Sequence, residues 1–394
     1  MKRITLLLLM LTTVFVYAQK APKPNLNKAL NSWKEGKLDE AKANIDLATT
    51  YEKTKDDAKT WYYRGLIYAS IDTTSNEAFK GLATDAYKTA VESFKKADEL
   101  NGNDKELFIT DASGLPILKS QQIANWQGNY LNTGAAQYQE EDLDGALKNF
   151  EKAQEISPDD TTAYFYAGFV ANSLEDYDKA IQNFKKYNEL GGKSSDGYSI
   201  MININSGPKE NKEEALKLVR EAKAKFPANQ DFPKVEIGLL IDLKRIDEAK
   251  SGLESALKTE PNNKILHFYL GYANASLNNV EAAKKNYEDA LKLDPQYFEA
   301  SLYLAKLMIT DAVAIKKEMA NLGISAADKK KKFDLDKVLV EKLKLALPYW
   351  ESAEKIKPDD QEVLDTLYGI YTDLDMQDQL KRIEKRYKEL GMDN

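Results

Sequence analysis

Apolar and polar positions recur along most of the chain with a helical period. YEDALKLDP (287–295), FEKAQEISP (150–158), LESALKTEP (253–261) and WESAEKIKP (350–358) are near copies of one phrase. In each, a large apolar residue is preceded by Ala four positions back and followed by Ala three positions on, as in Ala283, Tyr287 and Ala290. The spacing i, i+4, i+7 places all three on one face of a helix. The closing proline disfavours helix at the residue before it and starts a turn. The pattern predicts short amphipathic helices in series, each with a narrow apolar stripe.

The phrases keep a fixed step. Pro227, Pro261 and Pro295 are 34 residues apart, as are Ala215, Ala249 and Ala283, and Ala222, Ala256 and Ala290. Earlier, Gly134 and Gly168, Ala146 and Ala180, and Phe150 and Phe184 keep the same interval. A period of 34 with this content resembles the tetratricopeptide repeat, whose units are helix-turn-helix hairpins. Its consensus has an aromatic at position 4, Gly or Ala at 8, Ala at 20, an aromatic at 24, Ala at 27 and Pro at 32. Residues 264–297 match with Gly271, Ala283, Tyr287, Ala290 and Pro295, and residues 127–160 with Tyr130, Gly134, Ala146, Phe150, Ala153 and Pro158. Residues 161–194 keep Tyr164, Gly168, Ala180 and Phe184; residues 196–229 and 230–263 keep mainly the second helix. The resemblance implies an all-α fold, a right-handed solenoid of about eight or nine units. Small residues at 8 and 20 let the two helices of a unit approach, and the ring at 24 is expected to fill the space to the next unit. No such hairpin buries its stripe alone, so stacking is obligatory.

The flanks stretch the pattern. Residues 1–18 read as a secretory leader, 24–103 as N-terminal units with one insertion, 104–297 as the regular array, 298–360 as a unit with a long insertion, and 361–394 as a capping unit. Gly65 to Ala90 spans 25 residues and Ala305 to Ala346 spans 41, where the repeat expects 12. GLP (114–116) is expected to be a loop before a long helix, and KKKK (329–332) to lie in a solvated loop of the 313–340 insertion. The last unit has Leu380 and Glu384 at positions 20 and 24 and is charged on most faces, as a terminal cap requires.

Composition narrows the function. The net charge is −7, from 56 basic and 63 acidic groups, which argues against nucleic-acid binding. Lys2 and Arg3, the apolar run 4–16 and Val16-Tyr17-Ala18 have the form of an export signal cleaved after Ala18. Cleavage leaves 54 basic against 63 acidic groups, a charge of −9, and no membrane span. With no cysteine, stability rests on packing without disulfides. The expected location is the periplasm, with secretion the alternative.

No reaction centre stands out. His267, the single histidine, falls at position 4, where a packed ring is expected, and no second histidine or cysteine exists to share a metal. GGKSS (191–195) has Tyr187 where a phosphate-binding loop needs its first glycine. Asp159-Asp160 and Asp359-Asp360 read as acidic helix starts. We expect no cofactor, no metal and no catalysis. An enzyme using the repeats as a platform is the disfavoured alternative, since no non-repeat block exceeds a few dozen residues.

The resemblance implies an inner surface lined by the first helix of each unit at positions 2, 5, 9 and 12. Those positions supply the candidate groove residues Tyr62, Tyr138, Phe165, Phe169, Asn172, Lys234, Phe268, Tyr272 and Lys306. No unit carries the Lys-at-5, Asn-at-9 pair with which some members of the family hold a C-terminal carboxylate. Two readings of this aromatic face compete. Either the chain fills it itself, or it takes a peptide or protein of the cell envelope, a second copy of the chain included. A peripheral outer-membrane component touching anionic lipid through Lys329–Lys332 is a further alternative.

The leader can be checked directly. N-terminal sequencing of the protein recovered from the native host should begin at Gln19; a first residue of Met1 would overturn the cleavage.

Overall fold

The computed structural model describes residues 23–102 and 105–392, so the leader stretch 1–18 lies outside the described residues. The chain divides into two units, one ending at Gly197 and one starting at Tyr198. In the first, α1 (Leu26–Lys34) packs on α2 (Leu38–Ala48), α3 (Ala58–Asp72) on α4 (Ala86–Asn101), α5 (Lys119–Gln139) on α6 (Leu143–Ile156), and α7 (Thr161–Ser173) on α8 (Tyr177–Glu189). The division falls within α9 (Asp196–Ser206). The second unit continues with α10 (Lys212–Lys225), α11 (Asp231–Asp242), α12 (Ile246–Thr259), α13 (Lys264–Ser276), α14 (Val280–Leu293), α15 (Phe298–Ala320), α16 (Ala326–Ile356), α17 (Gln361–Asp373) and α18 (Gln377–Leu390). From α10 to α18 each helix packs on the next, so every hairpin leans on its neighbour.

Local chemistry explains where the helices start and stop. Asp57, Asp142, Asp160, Asp176 and Asp360 accept backbone N–H groups of the first turn of α3, α6, α7, α8 and α17, which satisfies donors the helix leaves open. Between the two helices of a hairpin the chain turns through one left-handed residue: Glu141, Glu175, Glu210, Lys244, Asn278 and Asp375. At Glu175 the turn closes with Glu175 N–H donating to the Asn172 carbonyl (3.1 Å) and Asp176 N–H to the Ala171 carbonyl (2.9 Å).

The core of four hairpins is a ring laid over a glycine. Phe94 covers Gly65, Phe150 covers Gly134, Phe184 covers Gly168 and Tyr287 covers Gly271; a β-carbon on these glycines would sit 2.6, 2.9, 2.9 and 2.7 Å from the ring. The ring at position 24 therefore fills its own hairpin first, which corrects the expectation that it mainly spans to the next. It also reaches the next hairpin, as where Phe150 stacks on Tyr166 of α7 at 5.5 Å.

Three further features depart from expectation. Residues 114–116 belong to a two-stranded antiparallel ribbon, β1 (Phe108–Thr110) and β2 (Pro116–Leu118), with Ile109 opposite Ile117. Gly114 takes φ +81° and the Asp111 side chain accepts the N–H groups of Ser113 and Leu115, so the turn is built locally. Lys329–Lys332 lie in helix, within the first two turns of α16, and not in a loop. The reason is local: Ser325 caps the helix from the Asp328 N–H and donates to the Asp328 carboxylate (2.7 Å), and alanine and lysine favour helix. The insertion near 73–85 folds back on the first unit, with Phe79, Leu82 and Ala83 against its core. Beside it, Asp72 accepts from Trp126 Nε1 (3.0 Å) and Tyr130 Oη (2.5 Å), while Lys152 Nζ lies 4.8 Å from the Tyr130 ring and 4.9 Å from that of Tyr87.

Two glycine substitutions separate packing from propensity. Gly168→Ala should lower stability, because overpacking against Phe184 costs about 1–3 kcal/mol and exceeds the roughly 1 kcal/mol of helix propensity gained. Gly238→Ala, in α11 with nothing within 4 Å of its β-position, should raise stability by up to about 1 kcal/mol. Urea unfolding measures both; equal effects would contradict the ring-over-glycine account.

Candidate functional site

The expected groove residues separate by burial. In the first unit Tyr62 is 0% exposed, beside Tyr63 (5.7 Å) and Phe94 (6.4 Å), and burial pushes its hydroxyl pKa well up. It is a core residue and offers no surface to a partner. Tyr138, at the end of α5, is 44% exposed. Phe165 and Phe169 meet edge to face at 4.8 Å, half-buried, with Phe184 behind both and Tyr187 beside Phe165. Asn172 is half-buried, and its carbonyl closes the turn into α8.

In the second unit Phe268 is buried among Tyr269, Tyr287, Tyr297 and Tyr303 at 5.3–5.9 Å. Tyr303 joins this cluster to Tyr272 (6.0 Å), and Lys306 Nζ lies 5.2 Å from the Tyr303 ring and 2.8 Å from Glu362. Phe268, Tyr272 and Lys306 therefore form one aromatic–cationic strip across α13 and α15. Lys234 stands apart on α11, exposed and 3.0 Å from Glu260.

The tyrosines at position 6, namely Tyr166, Tyr269 and Tyr303, escaped the reading of positions 2, 5, 9 and 12. Tyr166 packs on Phe150, and Tyr303 lies 6.4 Å from Tyr287, each the position-24 ring of the preceding hairpin. Tyr166 and Tyr269 remain 45% and 39% exposed. The signal was in the sequence, since Tyr269 and Tyr303 keep the step of 34.

A cleft of about 700 Å³ lies among α10, α11 and α12, lined by Arg220, Lys223, Lys234, Glu236, Ile237 and Gly252 among others. This hairpin has Ile237 at position 8 and Leu253 at 24, so no ring covers a glycine. Its packing is inverted: a β-carbon on Gly252 would lie 3.2 Å from Ile237. Glu236, whose side chain is 12% exposed, receives Arg220 (2.7 Å) and Lys223, and Arg220 also reaches Glu248 (2.7 Å). Burial pushes the Glu236 carboxyl up, yet Lys223 and Arg220 outweigh it and hold it below the ordinary glutamate range. A second cleft, of about 650 Å³, lies in the first unit among Trp33, Ser70, Phe79, Ile109 and Ile117.

The remaining polar motifs take structural places. The His267 Nε2 is 2.9 Å from the Pro261 carbonyl, on a half-buried ring. Ser194 N–H donates to Tyr187 Oη (2.7 Å), so the 191–195 segment folds against its own helix end. Among the described residues no group of three or more His, Asp or Glu is placed to hold a metal ion.

The sequence model of the tetratricopeptide repeat family matches residues 118–373. Among solved structures, the chain is similar to YrrB, described as a TPR protein with an unusual peptide-binding site (23% identity, 45% of this chain and 90% of that one, TM-score 0.38). It is also similar to MamA (19%, 43% and 92%, TM-score 0.37) and to a thermophilic TPR protein of Thermus thermophilus (21%, 46% and 99%, TM-score 0.28). No curated protein matches the chain.

The Glu236 cluster sets a pH dependence. A carboxylate with a depressed pKa contributes stability that is present above its ordinary value of 4.5 and is lost as pH falls through its folded value. Glu236→Gln should therefore cost about 1 kcal/mol at pH 7, and the gap to the parent protein should close between roughly pH 5 and pH 3. Thermal melts across that range measure it; a constant gap would show that the Arg220 and Lys223 contacts contribute nothing.

Proposed function

Because the chain belongs to the tetratricopeptide repeat family, we propose that it is a non-enzymatic interaction protein that docks a peptide or protein partner on the first helices of its hairpins. The observation that carries this reading is the strip formed by Phe268, Tyr272, Tyr303 and Lys306 on α13 and α15. Rings of this kind anchor partners well, because they bring large apolar area with few rotatable bonds. Their burial differs in a useful way. Phe268 is buried and holds the strip rigid, whereas Tyr272 and Lys306 are half-exposed and available. In the first unit Tyr138 and Tyr166 offer exposed rings on the corresponding helices, and Phe165 packs edge to face beside Tyr166.

The partner we propose is an extended or helical segment of a cell-envelope protein. The envelope location rests on the leader-like residues 1–18. The domain limits drawn from the repeat, 24–103, 104–297, 298–360 and 361–394, are the divisions within which we propose that the surface works.

A photo-reactive amino acid placed at Tyr138 or Tyr272 should cross-link a protein in the native cell. The same probe at Lys185 or Lys292, on second helices, should not. Cross-links from the second helices alone would contradict the assignment of the docking face.

A further inference from the structure

The hairpin of α15 and α16 is built on a different scale from its neighbours. Its helices have 23 and 31 residues, against 13 and 14 for α13 and α14 and for α17 and α18. The last buried residue of α15 is Ala312 and the first of α16 is Leu339, so residues 313–338 include none that is buried. At the base of this distal part Ile315 and Met319 still pack on the repeat core and Lys316 pairs with Asp373 of α17; beyond Met319 only Leu322, Asp328 and Leu335 in it are partly buried.

The distal part also has its own charge. Residues 313–338 carry seven lysines against four acidic groups, in a chain whose formal charge is −7. Lys331 faces α15, where it pairs with Glu318 at 2.8 Å, and Leu335 one turn on is partly buried. Helical spacing puts Lys329, Lys330, Phe333 and Lys337 on the opposite face, with Asp336 at its edge. Phe333 is 62% exposed, with Lys337 Nζ 4.3 Å from its ring. At the turn between the helices Ile324 is 90% exposed. The end of the hairpin thus presents two large apolar side chains set among lysines.

The surface of an anionic bilayer suits both kinds of side chain at once. Lysines gain from the negative surface potential, and apolar side chains enter the boundary between headgroups and acyl chains. Among the described residues no helix is long and apolar enough to cross a membrane, so the contact is peripheral. We propose that the distal end of the α15–α16 hairpin docks on anionic phospholipid, with Lys329, Lys330 and Lys337 at the headgroups and Ile324 and Phe333 entering the interface. This surface is separate from the strip on α13 and α15, and either assignment can fail without the other.

Co-sedimentation of the chain begun at Gln19, which keeps every helix described above, tests it. The protein should pellet with vesicles of 70:30 phosphatidylcholine:phosphatidylglycerol, and at least tenfold less with phosphatidylcholine alone or in 0.5 M salt. The combined Lys329→Glu, Lys330→Glu and Lys337→Glu variant should lose at least tenfold in partitioning at unchanged far-UV circular dichroism. An Ile324→Trp variant, which needs no charge change, should shift its emission to the blue with the anionic vesicles only. Equal binding to both vesicle types, an unaffected triple variant, or an Ile324→Trp emission indifferent to anionic lipid would overturn the proposal. So would binding to poly-glutamate beads without binding to the anionic vesicles, which would reassign the face to an acidic polypeptide.

Discussion

The contact on which the rest depends is an aromatic ring lying flat on a helix that has no side chain beneath it. At Gly65, Gly134, Gly168 and Gly271 the approach is closer than any β-carbon would allow. That closeness fixes the spacing of the two helices in a hairpin, and with it the position of every side chain on their outer faces. Where the pair is missing, at Ile237 and Leu253, the packing inverts toward Gly252, and a surface cleft lined by α10, α11 and α12 lies alongside. There the interior is filled by aliphatic side chains instead of a ring, with Ile237 and Leu253 both buried.

Around that contact, polar groups settle the ends and apolar groups settle the neighbours. Aspartates close the first turns and left-handed residues close the hairpins, so each unit is specified locally. Position-6 tyrosines then tie a hairpin to the ring of the one before it, as Tyr166 does to Phe150. The aromatic character of the first helices thus serves two ends. Its buried part, such as Phe268, is structural, and its exposed part, such as Tyr138 and Tyr269, faces solvent.

Much of this could be read from residue spacing. The step of 34 located the hairpins, and the acidic pairs after the repeat prolines did mark helix starts at Asp160 and Asp360. Spacing could not reveal burial. Tyr62 has the position of a groove residue, yet it is buried in the first unit's core beside Tyr63 and Phe94. Nor did it reveal the ribbon at 108–118, whose strands are three residues long and too short for an alternating pattern to register. Lys329–Lys332 looked like a loop because four like charges suggest solvent, but the Ser325 cap and the alanines after it start a helix there. The exposed stripe of Lys329, Lys330, Phe333 and Lys337 became visible only once those lysines had a helical phase.

A double-mutant cycle at Gly271 and Tyr287 tests the central claim most directly. If the ring rests on the bare helix, Gly271→Ala should destabilise the parent protein and become neutral or stabilising in a Tyr287→Leu background, with a coupling of at least about 1 kcal/mol. Additive effects of the two substitutions would mean that the ring and the glycine do not depend on each other, and the account would fail.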